Sequence, residues 1–74
     1  MENFKLKFSA RNSFEGTITK IVRGPVSTEV IIHVTDGVDI VSVITSSSAN
    51  RLRLKKGQMA HALIKADSVI IGVD

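Results

Sequence analysis

The sequence has no cysteine, no tryptophan and no tyrosine, a single proline and only two histidines. Each absence excludes something. Without cysteine there can be no disulfide and no thiolate metal site, and the chain fits a reducing cytosol. His33 and His61 cannot alone build a structural zinc centre, and no carboxylate stands at a matching spacing. The only aromatics are Phe4, Phe8 and Phe14, a thin supply of platforms for stacking nucleic-acid bases. Phe14 reads as core. No apolar run approaches the roughly 20 residues of a membrane span. The opening segment, residues 1–8, lacks the long apolar region and small-residue cleavage site of a secretory signal. The expectation is a soluble, cytoplasmic protein.

Enzyme signatures are missing as well. There is no phosphate-binding P-loop, no dinucleotide fingerprint and no metalloprotease helix. Both histidines fall among apolar neighbours in strand-like runs, which suits surface or interface positions better than a triad. The expected net charge of +3 is a mild bias. Its densest cluster, Arg51, Arg53, Lys55 and Lys56, reads as the solvated end of a helix, where cations are favoured.

At 74 residues the chain makes one domain at most. A core of this size seldom supplies more than about 3–5 kcal/mol, and oligomerisation is the usual remedy once disulfides and metals are excluded. We expect one domain over residues 1–74, with 1–8 an N-terminal extension or a first strand.

Strand patterns dominate what is present. Phe14, Ile18 and Val22 share one parity across Ser13 to Arg23, and Val30, Ile32 and Val34 share another across Glu29 to Thr35. Gly24-Pro25 separates these runs, and Asp36-Gly37 reads as a hairpin turn. Asp39 to Thr45 is apolar on both parities, as is Val69-Ile70-Ile71, so both need cover on two faces. Ser46, Ser47 and Ser48 offer N-caps to a short helix over Ala49 to Leu54, closed by Lys55, Lys56 and Gly57. Met59 to Lys65 returns as a strand, and Ala66-Asp67-Ser68 bends the chain into the last one. The predicted fold is all-β, a small OB-like Greek-key barrel of about five strands with one short helix, oligomeric.

Three segments concentrate hydrogen-bond donors: Ser9-Ala10-Arg11-Asn12, Thr45-Ser46-Ser47-Ser48 at a helix start, and Lys65-Ala66-Asp67-Ser68. Cations, hydroxyls and backbone N–H groups together are what an acceptor-only dianion requires.

These segments carry a resemblance. Ser9-Ala10-Arg11-Asn12 followed by Gly16, then Gly24-Pro25-Val26-Ser27-Thr28-Glu29-Val30, Ser42-Val43-Ile44-Thr45 and Ala62-Leu63-Ile64-Lys65-Ala66 with Ser68-Val69, are similar to molbindin. That is the molybdenum-pterin-binding, Mop or TOBE-type module, and the similarity runs from about residue 5 to residue 73. The resemblance implies an OB-like barrel assembled as a homohexamer, a trimer of dimers. It implies molybdate or tungstate held at subunit interfaces for storage and homeostasis, without catalysis. By position it implies Ser9, Arg11, Thr45, Ser48, Lys65, the backbone of Ala66, and Ser68 as oxyanion contacts. Asn12, Gly24 and Val26 are candidates for a second site near a threefold axis. No metal ion would be ligated directly, because molybdenum is bound as its oxyanion. The departures are the residues before Ser9, and Asp67, a carboxylate beside a presumed anion contact that we expect to face solvent. Single-stranded nucleic-acid binding on the same fold, or a molybdate-sensing interaction module, are the alternatives; no nucleic acid or membrane partner is expected.

Overall fold

The structure is a computed structural model and describes residues 11–74. The expectations for residues 1–8, for Phe4 and Phe8, and for Ser9 lie outside the described residues. Four strands form one antiparallel sheet: β1 (Asn12–Arg23), β2 (Ser27–Thr35), β3 (Val38–Thr45) and β4 (Met59–Ile64), in the order β3-β2-β1-β4. A meander of three strands followed by a fourth that returns beside the first is Greek-key connectivity. A helix, α1 (Ser46–Arg51), crosses from β3 towards β4, and a 3₁₀ turn, Ala66–Ser68, follows β4.

Alternation places Val30 and Ile32 of β2 inward beside Ile18 of β1, and these three are the centre of the core. Ala49 plugs the helix against the sheet and is fully buried. Ile44, Leu54, Ala60 and Ala62 pack around them. The half-barrel leaves an open apolar hollow of about 150 Å³ between Ile18, Ile32, Ile44 and Leu54, with Ser42 and His61 at its lining.

Gly16 permits the curl. A Cβ there would lie 2.4 Å from the His33 carbonyl oxygen and 2.7 Å from Ile32 Cγ2. β1 and β2 therefore approach more closely at this point than any side chain allows.

Four sequence expectations are corrected. First, a bulge interrupts β1 between Ile18 and Lys20, which reverses the parity beyond it. Ile21, not Val22, then turns towards the core, and Val22 is exposed. Second, Phe14 points to the inner face opposite Ala62 but sits at the sheet's open end, 38% exposed, and is not core. Third, α1 begins earlier than predicted because Thr45 is its cap: Thr45 Oγ1 accepts from the Ser48 backbone N–H at 3.1 Å. It also ends earlier, at Arg51, so Lys55, Lys56 and Gly57 belong to the turn leading into β4. Fourth, Val69–Asp74 forms no strand. Its sequence suits one, but a strand needs a paired edge, and no described residue supplies it.

The predicted hairpin at Asp36-Gly37 is present, joining Thr35 to Val38. His33 and Asp39 face each other across that hairpin, Nδ1 to Oδ1 at 2.8 Å, both well exposed. His61 lies on β4 opposite Glu15.

Gly16→Ala is expected to cost about 2–3 kcal/mol, since the contact is with backbone that cannot swing aside. Denaturant unfolding, read against Gly72→Ala in open space, measures it.

Candidate functional site

Register decides which candidate residues can meet. Asn12 pairs with Ile64, so Arg11, Asn12 and Lys65 gather at one end of the sheet. Asn12 Nδ2 donates to the Ile64 carbonyl at 3.3 Å and secures that end. Arg23 pairs with Thr28, and Ser27 with Thr45, so Gly24, Val26, Thr45 and Ser48 gather at the other. β1 spans the distance with 12 residues, on the order of 30 Å at a strand's rise per residue. The structure thus brings the predicted contacts together as two groups and keeps the groups apart within one chain. The second-site candidates divide the same way, Asn12 from Gly24 and Val26.

The Thr45 end is built by a chain of hydroxyls. Ser46 Oγ donates to the Gly24 carbonyl at 2.6 Å, so the 2.7 Å bond between Ser46 and Thr28 has Thr28 as donor. Ser46 N–H also bonds the Val26 carbonyl at 2.8 Å. Thr28 is almost wholly buried, on the inward parity of β2 with Val30 and Ile32. Gly24 has no room for a side chain, because a Cβ would meet the Ser27 carbonyl at 2.6 Å. Arg23 braces the same end: its guanidinium donates to the Leu54 carbonyl at 2.6 Å and to Asn50 Oδ1 at 3.5 Å. These contacts pin the start of α1 to the β1–β2 turn and fix where Thr45, Ser47 and Ser48 stand. Thr45 links the other two hydroxyls: its Oγ1 donates to Ser48 Oγ at 2.8 Å and lies 3.3 Å from Ser47 Oγ.

The Lys65 end is looser. Lys65 precedes the 3₁₀ turn in extended conformation, and Lys65, Ala66 and Ser68 are all exposed. Asp67 is exposed as expected, but Ser68 Oγ donates to its carboxylate at 3.4 Å. Ser68 therefore has a local acceptor already.

Five cations and no carboxylate lie between Asp39 and Asp67 in the sequence. The only ion pair among the described residues is His33–Asp39, far from both groups along the sheet. Described residues offer no cluster of three or more metal-ligating side chains, and no helix long and apolar enough to cross a membrane. The apolar hollow of the half-barrel is unsuited to a dianion. Sequence reading missed Thr28 as the anchor of the Thr45 end. Its hydroxyl on an inward strand position was the available signal, and its partner Ser46 was not.

The fold is a curled four-stranded Greek-key sheet with exposed donor groups at its two ends. Residues 9–71 match the TOBE domain. The chain is 36% identical to a probable molybdenum-pterin-binding protein of Haemophilus influenzae, covering 93% of this chain and all of that one. MopII from Clostridium pasteurianum superposes with a TM-score of 0.85 at 31% identity, covering 90% of this chain and all of that one. The cytoplasmic molybdate-binding protein ModG, in a crystal form with molybdate bound, superposes with a TM-score of 0.87 at 40% identity, over 93% of this chain and 49% of that one. The chain is also 40% identical along its whole length to the molybdenum transport protein ModE of Herbaspirillum seropedicae, but spans only 28% of that protein. The chain belongs to the TOBE domain family, among the molybdenum-pterin-binding proteins of the Mop type.

Ser46→Ala leaves the buried Thr28 hydroxyl without its partner and is expected to cost about 1–3 kcal/mol, more than Thr28→Val. The double variant T28V/S46A should be less unstable than the sum, and a double-mutant cycle in urea checks this.

Proposed function

We propose that this chain binds molybdate, or tungstate, as a cytoplasmic store that buffers the oxyanion without transforming it. The binding unit is a symmetric homo-oligomer, a hexamer arranged as a trimer of dimers, in which each copy of residues 1–74 acts as one domain. The observation that carries the reading is the division of donors between opposite ends of β1. One chain holds two half-sites that cannot close on one ion. Two chains related by symmetry can place the Lys65 end of one against the Thr45 end of the other. Isologous contact of this kind makes two equivalent sites per pair.

In each site Lys65 and Arg11 supply charge from one copy, and Ser48 donates its hydroxyl from the other, held in place by Thr45, whose own proton goes to Ser48. Ser9, the backbone of Ala66, and Ser68 complete the shell on the Lys65 side, and Asn12, Gly24 and Val26 belong to a second class of site. Support comes from relatives named for molybdenum-pterin and molybdate binding, several matched over nearly their full length. Molybdate near pH 7 only accepts hydrogen bonds. Hydrogen phosphate brings a proton, which a donor-only shell leaves unpaired at a cost of about 1–3 kcal/mol.

Lys65→Ala is expected to weaken molybdate binding about tenfold or more in calorimetry, and Lys56→Ala less than about twofold, because Lys56 lies on the far turn before β4. Equal losses would mean a diffuse charge effect and no site. Sharing is tested by mixing. Lys65→Ala and Ser48→Ala chains each lack one half-site, yet their mixed dimers keep one intact site. Co-refolded together they should recover about a quarter of the wild-type capacity. A mixture as inactive as either parent would place the whole site within one chain.

A further inference from the structure

We infer that Arg51 is a further anion-binding residue, one that also orients the Ser48 hydroxyl; the inference rests on the molybdate reading above. Arg51 is the last residue of α1, where a cation complements the helix end. Its side chain nevertheless runs back along the helix, the direction helical side chains favour. Its Nη2 reaches Ser48 Oγ at 3.4 Å, one turn earlier.

That contact completes a chain of assigned protons. Thr45 Oγ1 accepts from the Ser48 N–H and donates its own proton to Ser48 Oγ. With Thr45's proton committed, the 3.3 Å contact to Ser47 makes Ser47 the donor there. Ser48 Oγ thus receives two hydrogen bonds, one from Thr45 and one from Arg51. A serine oxygen has two lone pairs, so both are occupied and only its O–H remains to be used. Ser48 is held as a donor, while Thr45 is the group that holds it.

Arg51 adds a cation that is free to face an anion at this end. Arg23 is committed to the Leu54 carbonyl and Asn50. Arg53, two residues on, makes no side-chain hydrogen bond among the described residues, and its backbone adopts a positive φ of 54° beyond the helix. Arg51 is exposed, has no carboxylate within ion-pair distance among the described residues, and remains free to bond an anion seated on Ser48. A guanidinium has donors to spare after one contact with a serine.

Its two roles separate experimentally. Loss of charge alone weakens every anion alike. Loss of the bond to Ser48 frees a lone pair, which can then accept the proton of a bound hydrogen phosphate. Arg51→Met is therefore expected to weaken molybdate binding five- to tenfold and to weaken phosphate, measured by competition, by a smaller factor. Arg53→Met carries the same charge change and should alter molybdate binding less than twofold and leave the molybdate-to-phosphate ratio unchanged. The assignment is overturned if the two variants bind alike, or if Arg51→Met lowers both affinities by one common factor. A wild-type chain that does not bind molybdate would instead overturn the reading on which the inference rests.

Discussion

The length of β1 governs the rest of the structure. It pairs with β4 through its first half and with β2 through its second, so it is the one strand that joins the two halves of the sheet. Its 12 residues would lie too straight to enclose a core without local devices. Gly16 lets the neighbouring backbone come in, and the bulge between Ile18 and Lys20 adds twist just beyond it. Ile18, lying between the two, is the most buried aliphatic of the sheet. The same length sets the chemistry. β1 runs from Asn12 to Arg23, so it keeps Arg11, just before one end, apart from Arg23 at the other.

The core that results is small. Ile18, Val30, Ile32 and Ala49 are the only hydrophobic residues fully buried among those described. Against this, Val41 and Val43 are exposed on the outer face of β3, and Ile70, Ile71 and Val73 are 80–93% exposed after the last turn. Each such side chain gains about 1.5–3 kcal/mol when fully covered, comparable to what this core can supply per residue. The proposed assembly would answer two needs with one arrangement. It would cover aliphatic surface that a single copy leaves bare, and bring together the proposed half-sites that a single copy holds apart. This coincidence is why the proposed function and the proposed oligomer stand together.

Much of the fold was legible from alternation and turn chemistry. Val30, Ile32 and Val34 marked β2, Asp36-Gly37 marked its hairpin, and the Ser-rich stretch marked the helix start to within three residues. What escaped depends on partners distant in sequence. The bulge is a mismatch between β1 and β2, invisible in β1 alone, and it exchanged Val22 for Ile21 at the core. Thr45 displaced the three serines as cap because its hydroxyl reached the Ser48 amide first. The pattern of Val69-Ile70-Ile71 suits a two-sided strand that the structure does not form, because pairing needs an edge, which no periodicity can show. For the site, residue types were legible and their grouping was not. Nothing in the sequence says that Lys65 and Thr45 lie at opposite ends of one strand. Only the register does.

Selectivity in the proposed site turns on Asp67, the carboxylate between Lys65 and Ser68. Asp67 is a departure from a donor-only shell, and its position beside Ser68 invites repulsion of any dianion on Lys65. The geometry limits that cost. Both side chains are exposed, where solvent screens the charge, and the 3.4 Å bond from Ser68 is long enough to be given up cheaply. Asp67 keeps acceptor capacity while it takes one bond from Ser68, because a carboxylate offers about four lone-pair sites. The proposed site is then more selective against phosphate the more of the load the Ser48 hydroxyl of the partner copy carries. Discrimination on this reading comes from the Thr45 end, where Thr45 and Ser48 each already accept two hydrogen bonds. Attraction comes from the Lys65 end, where charge is plentiful and geometry is loose.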